Sequence, residues 1–513
     1  MRYARLGGML IIASTLAACG AERDTVPGST DGSAPDLTRI EGLGALAFPN
    51  SGAPEAQTDF ITGVLLLHSF EYDRAAEAFR AAQDADPDFA LAYWGEAMTY
   101  THPVWNEKDV EAAREALGRF AATPTERLER TPTERERGYM RTIDVLYGEG
   151  QKEALDTAYS AAMAELAAAY PDDLEAQTFH ALSILGLSRG DRDVPSYMEA
   201  GAIALDAFEK NPEHPGAAHY VIHSFDDPTH AILAMEAARA YAPMAPNAGH
   251  AQHMTSHIFL ARGMWDDVVE ANINADGVVD RQRAEAGMPA ANCGHYNDWL
   301  QYGYLQRGEF DVAAEMQQAC LGDAADLEQS GASRRGATFS SGNMRNWYLA
   351  DSGEGTGPVA EGEVDLSDVS PVVRMAWAWG DGVAAVHRGD LAAARASLSE
   401  LEGIELDDEL AWVSPYAPIW RGTLTAYVRR AEGDLDAALV AAREAAEYEA
   451  SLPVDFGPPV AYKPARELEA DVLRDMGREV EALAAYRTAL ERTPNRRPAL
   501  VGHAAVAGVD EGE

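Results

Sequence analysis

The chain has 513 residues, 47% of them hydrophobic, and carries 83 Asp and Glu against 41 Lys and Arg, a formal net charge of −42 at pH 7. That length suits several domains or one long repeat array. The charge excludes nucleic acid and bare anionic lipid surfaces as partners, because both are repelled. After the first twenty residues no apolar run is long enough to span a bilayer.

The first eighteen residues read as an address. Arg2 and Arg5 precede the short apolar stretch around Leu10-Ile11-Ile12, the order of a signal peptide. Leu16-Ala17-Ala18-Cys19 then resembles the lipobox of bacterial lipoproteins. The resemblance implies removal of residues 1–18 and acylation of Cys19; an ordinary secretory signal is the alternative. Several acyl chains anchor stably where one is marginal. Gly20 after the cysteine implies the outer membrane, facing the periplasm, if the cell has two membranes. Residues 19–55 are rich in Gly, Pro, Ser and Asp and read as a flexible tether.

From residue 56 onward, small and aromatic residues recur at helical spacing. Gly63, Leu66, Ala75, Phe79, Ala82 and Pro87 set the pattern, and Ala482, Tyr486, Ala489 and Pro494 repeat its last part at the same intervals. The motifs beginning Gly308-Glu309-Phe310, Gly389-Asp390-Leu391 and Gly433-Asp434-Leu435 mark further turns into second helices. This pattern resembles the tetratricopeptide repeat. The expected fold is all-α, a helix–turn–helix solenoid wound as a right-handed superhelix in two sub-arrays, 56–350 and 369–505. The acidic stretch 351–368 is expected to separate them, and 506–513 to form an acidic tail. In that family the first helices line a groove that binds peptides or partner proteins.

Four histidines repeat at the period of the array. His219 and His223 are followed by His253 and His257, so both intervals (253 − 219 and 257 − 223) are 34 residues, the length of one such repeat. Each pair is spaced i, i+4 and shares one helix face. Two stacked pairs offer four neutral imidazoles, a set suited to zinc, copper, nickel or iron rather than calcium or magnesium. His68 and His102, also 34 apart, and His250 and His295, near the starts of further first helices, are additional candidates. Glu71 and Asp226 close two matching segments, His68-Ser69-Phe70-Glu71 and His223-Ser224-Phe225-Asp226; with Asp298 they are candidate ligands or ring-orienting acids. Cys293 and Cys320 flank a helix pair and are a candidate disulfide in an oxidising compartment.

Two functions remain open on these residues. One is a tethered extracytoplasmic scaffold whose histidine-lined groove holds a transition metal, a peptide or a protein. The other is a metalloenzyme, hydrolase or oxidoreductase, with Glu71, Asp226 or Asp298 as general base on a bound water. No nucleotide-binding glycine loop, HExxH or Gly-x-Ser-x-Gly motif names a reaction. Duplication of a repeat with buried core histidines produces the same spacing without a metal.

Overall fold

The computed structural model describes residues 37–188, 192–406 and 414–508. The leader at 1–18, Cys19, the tether as far as residue 36 and residues 509–513 of the tail lie outside the described residues.

The fold begins inside the segment expected to be a tether. Thr38–Ile40 and Gly44–Leu46 pair antiparallel, and Leu43, Leu46 and Phe48 are buried. Ala45 donates its backbone N–H to the carbonyl of Glu213 over 3.0 Å, and the Asn211 amide donates to the carbonyl of Ala45 over 2.9 Å. Turn-forming composition marks this stretch as loop, but its spaced apolar side chains have a core to enter.

Beyond it the described chain is all-α, a tetratricopeptide-like array, apart from one further two-residue hairpin, Thr101–His102 with Glu107–Lys108. Helices pack in consecutive pairs such as Gln57–His68 with Tyr72–Ala85 and Gly249–Ala261 with Trp265–Glu285. First helices also pack on one another: Leu174–Leu185 meets Pro215–Phe225, which meets Gly249–Ala261. That stacking makes residues one repeat apart into neighbours. Phe79 shows the packing unit, since a Cβ on Gly63 or Gly95 would lie 2.8 or 2.3 Å from its ring. Tyr486 meets Gly502 in the same way, at 2.4 Å. Small residues here admit a ring whose removal costs about 3–5 kcal/mol in a typical core.

The turns within pairs share a device. Gly263, Gly389, Gly433 and Gly477 each lie two residues past a first helix with φ between 64° and 84°. The first pair puts Phe70 at that position, with φ 55°. A side chain there is strained by about 1–2 kcal/mol.

The stretch 351–368 does not divide the core. One apolar cluster runs from Leu43 to Val268 and a second from Tyr302 to Leu468, so the changeover precedes that stretch. Its Val359 and Ala360 are buried, and the Arg345 guanidinium donates to both their carbonyls, at 3.1 and 2.8 Å. Acidic residues set the exposed surface of the segment, while these apolar ones continue the packing. At the C-terminal end, Arg496 is fully buried between Asp351 and Glu467 and donates to the Tyr302 hydroxyl at 2.8 Å. Trp265 donates its indole N–H to the carbonyl of Asn495 over 2.8 Å. These bonds hold the last helix pair against the middle of the array. Among the described residues no helix is long and apolar enough to cross a membrane.

Candidate metal centre

Three first helices supply the histidines. Pro215–Phe225 carries His219 and His223; Gly249–Ala261 carries His250, His253 and His257; His295 opens the helix His295–Arg307. The expected quartet divides into two sets of three. His219 and His223 join His250, and His253 and His257 join His295, with one ring nitrogen from each residue of a set within 4.8 Å of the others. Each set is an i, i+4 pair from one first helix plus a histidine from the first turn of the next. The sets adjoin, with ring centroids 5.7 Å apart for His223 and His257 and 6.1 Å apart for His250 and His253.

Hydrogen bonds fix which nitrogens carry protons. His219 Nδ1–H donates to the carbonyl of His68 over 2.7 Å, leaving Nε2 as a bare lone pair in the neutral ring, 3.2 Å from His250 Nε2. His253 Nδ1–H donates to Asn272 Oδ1 over 2.7 Å; the amide of Asn272 is itself oriented by donating to the carbonyl of Val268 over 2.8 Å. His257 Nδ1 lies 3.0 Å from the Asp226 carboxylate, whose other oxygen is paired with Arg192. His253 Nε2 and His257 Nε2 then face each other at 3.2 Å. Two bare imidazole nitrogens repel unless a cation lies between them. Nitrogens bound at about 2.0–2.1 Å to a tetrahedral ion lie roughly 3.3–3.4 Å apart. His223 Nε2 is buried with no hydrogen-bond partner, and its Nδ1 is 3.9 Å from Asp226.

The surroundings are aromatic. Phe70 lies 4.3 Å from His219 and 5.4 Å from His250, Trp299 stacks on His257 at 4.4 Å, and Tyr296 sits 4.7 Å from His253. Phe456, from the segment between the helices Leu435–Ser451 and Ala465–Asp475, stacks on the same His257 at 5.2 Å. Burial drives the His219 imidazole down to about 3 and holds His223, His250 and His253 well below the ordinary range, with neighbouring histidines adding to the effect. The neutral form is the one a metal binds. His295 is exposed, and Trp105, 5.7 Å from His250, is 46% exposed, so both mark the solvent side.

Other candidates fall elsewhere. His68 is buried but belongs to a separate group: its Nε2 lies 2.7 Å from Glu175, its Nδ1 2.9 Å from the Tyr220 hydroxyl, and His214 Nε2 3.0 Å from the other oxygen of Glu175. Burial alone would raise the Glu175 carboxyl, but His214 and His68 hold it down to about 2. His68 reaches the centre only through its backbone carbonyl. His102 is not equivalent to it. The helix Ala90–Met98 ends before residue 102, which precedes Pro103 and lies in a strand, as a residue before proline favours. His102 stacks on Tyr72 at 4.0 Å, apart from both sets. Glu71 accepts from the backbone N–H of His250 at 3.4 Å rather than from a ring. Asp298 is buried, accepts from the Ser340 hydroxyl and is not among the groups around either set. Cys293 and Cys320 are joined in a disulfide two residues before His295, their Cα atoms 4.8 Å apart.

Sequence reasoning missed Asn272, Arg192, Phe456 and the His214 and Glu175 partners of His68, although two of these follow the period: His214 lies 34 residues past His180 (214 − 180) and Arg192 lies 34 before Asp226 (226 − 192). His214 also precedes Pro215, and its side chain caps that helix by accepting from Ala217 N–H at 3.2 Å.

No protein-family profile matches the chain, and no curated protein matches it in sequence. Solved structures align over most of its length. The APC/C hetero-tetramer Cut9–Hcn1 is 13% identical over 90% of this chain and 78% of that one, with a TM-score of 0.32. The human IFIT1 dimer with m7Gppp-AAAA is 12% identical over 91% of each chain, TM-score 0.34, and yeast Tom70 is 12% identical over 89% of this chain and 88% of that one, TM-score 0.26. At these values neither a ligand nor a partner carries over.

Proposed function

We propose that this protein is a lipid-anchored, extracytoplasmic helical-repeat protein that binds a transition metal through its clustered histidines. One observation carries the metal reading: His253 Nε2 and His257 Nε2 face each other at 3.2 Å while both Nδ1 atoms are engaged by acceptors. A shared proton serves two nitrogens, whereas His295 brings a third ring nitrogen within 4.8 Å of one from each of these two. The donors are imidazoles, which suit zinc, copper or iron. The Phe456 ring covers His257, so this face suits a metal better than a peptide laid in the groove. The anchor reading rests on Leu16-Ala17-Ala18-Cys19, and the Cys293–Cys320 disulfide fits an oxidising compartment.

The test is elemental analysis of the purified protein without a His-tag. At least one equivalent of zinc, copper or iron is expected, and a chain with His253 and His257 both changed to Ala should lose metal. Less than a tenth of an equivalent, with no uptake of added ion, would overturn the metal reading. For the anchor, Cys19→Ala should release the protein from the membrane fraction, and retention there would overturn that reading.

A second reading, a metalloenzyme, is favoured by the count of three protein ligands in each set, since catalytic ions keep an open position. Azide added to the cobalt-substituted protein should then shift its visible spectrum. An unchanged spectrum would mark a closed, structural site.

A further inference from the structure

We infer that the histidines hold two metal ions side by side, one in each set, with Asp226 at the seam between them. This rests on the metal reading above and goes beyond it in number and arrangement. The candidate ligand atoms separate into two sets of three, His219/His223/His250 and His253/His257/His295, rather than gathering as one group of four or six. Each set contains a pair of Nε2 atoms already at 3.2 Å, so each has its own chelating pair.

The seam between the sets is a third group, His223, Asp226 and His257, again within 4.8 Å. Asp226 Oδ2 lies 3.0 Å from Nδ1 of His257 and 3.9 Å from Nδ1 of His223, one ring from each set. A carboxylate on the far nitrogen of a ligating imidazole fixes the ring and raises its basicity. Here the carboxylate does this for His257 and lies beside the His223 ring of the other set, 3.9 Å away and beyond hydrogen-bonding distance. The unpartnered, buried Nε2 of His223 completes the first set.

Charge balance specifies the ligand class. Six neutral imidazoles contribute none, and the Asp226 carboxylate at the seam shares Arg192 with Asp227, two acids against one guanidinium. Two divalent ions among these largely buried rings still exceed that charge and therefore bring anions of their own, hydroxide or another small anion reaching them from the solvent side at His295. Two copper(I) ions need fewer.

Zinc titration of the metal-free full-length protein, without a tag, should saturate at two equivalents. His219→Ala with His250→Ala should leave one equivalent, and so should His253→Ala with His295→Ala. Loaded with two copper(II) ions, the wild type should show spin coupling that each double variant lacks, its single copper giving a full uncoupled signal. One equivalent in the wild type would overturn the two-ion proposal and leave the metal reading standing; none would overturn both. Two equivalents with no loss in a variant that retains its helical circular dichroism would place the second ion elsewhere and overturn the assignment. If a double variant fails to fold, wild-type stoichiometry and copper coupling decide alone.

Discussion

Asn272 Oδ1 accepts the Nδ1 proton of His253 over 2.7 Å, and the Asn272 amide is locked by its own bond to the Val268 carbonyl. A second helix thereby sets the tautomer of a residue on a first helix. Replacing Asn272 with Leu should free the His253 ring without removing a ligand. Metal affinity at the His253/His257/His295 set is expected to fall about 10–100-fold, read by competition with a chromophoric chelator. Affinity at the His219 set should not change; an equal loss at both would mean the substitution acts through the fold.

Phe70 holds a left-handed conformation where other pairs use glycine, and its ring covers His219. Phe70→Gly has two opposed effects. It relieves about 1–2 kcal/mol of backbone strain but deletes a buried aromatic side chain, a loss of about 3–5 kcal/mol. Packing wins, so the variant should be less stable by roughly 2 kcal/mol in urea unfolding. A variant more stable than wild type would show that strain dominates.

The Cys293–Cys320 disulfide closes a loop with a sequence separation of 27 just before His295. A cross-link of this span contributes about 3 kcal/mol. Cys293→Ser with Cys320→Ser should lower the urea midpoint accordingly and weaken metal binding at the His295 set more than at the His219 set. Unchanged stability on reduction would contradict this.

Asp298 is an acid whose burial pushes its pKa up to about 7, opposed by hydrogen bonds from Ser340 and Asn343. Unfolding returns it to near 4, so between those values the native state holds a proton that the unfolded chain has lost. Stability therefore falls as pH rises from about 4 to 7, by up to about 1.4 kcal/mol per pH unit, and levels off above. Asp298→Asn should flatten that part of the stability profile and be relatively more stable at pH 8. An unaltered slope would show the carboxyl to be ionised throughout.

The sequence by itself determined the repeat. Small residues against Phe79 and Tyr486, glycines two residues past helix ends and the 34-residue spacing are local properties, because helix pairing and turn chemistry are decided within one repeat unit. It also marked all six histidines now in the two sets, since i, i+4 spacing and a helix start are visible in one dimension. Tertiary structure alone decided how they are grouped. The period of 34 suggested one site built from two matched pairs, yet the third imidazole of each set comes from the opening turn of the next first helix, out of that register. Whether a side chain at such a junction meets the pair behind it depends on the offset between stacked helices, which no spacing encodes. The same holds for Asn272 and Phe456, which reach the centre from a second helix and from a distant connection. His68 and His102 mark the converse limit. Their spacing is that of the repeat, but Pro103 ends the helical register before it arrives, and equal numbers then name unequal places.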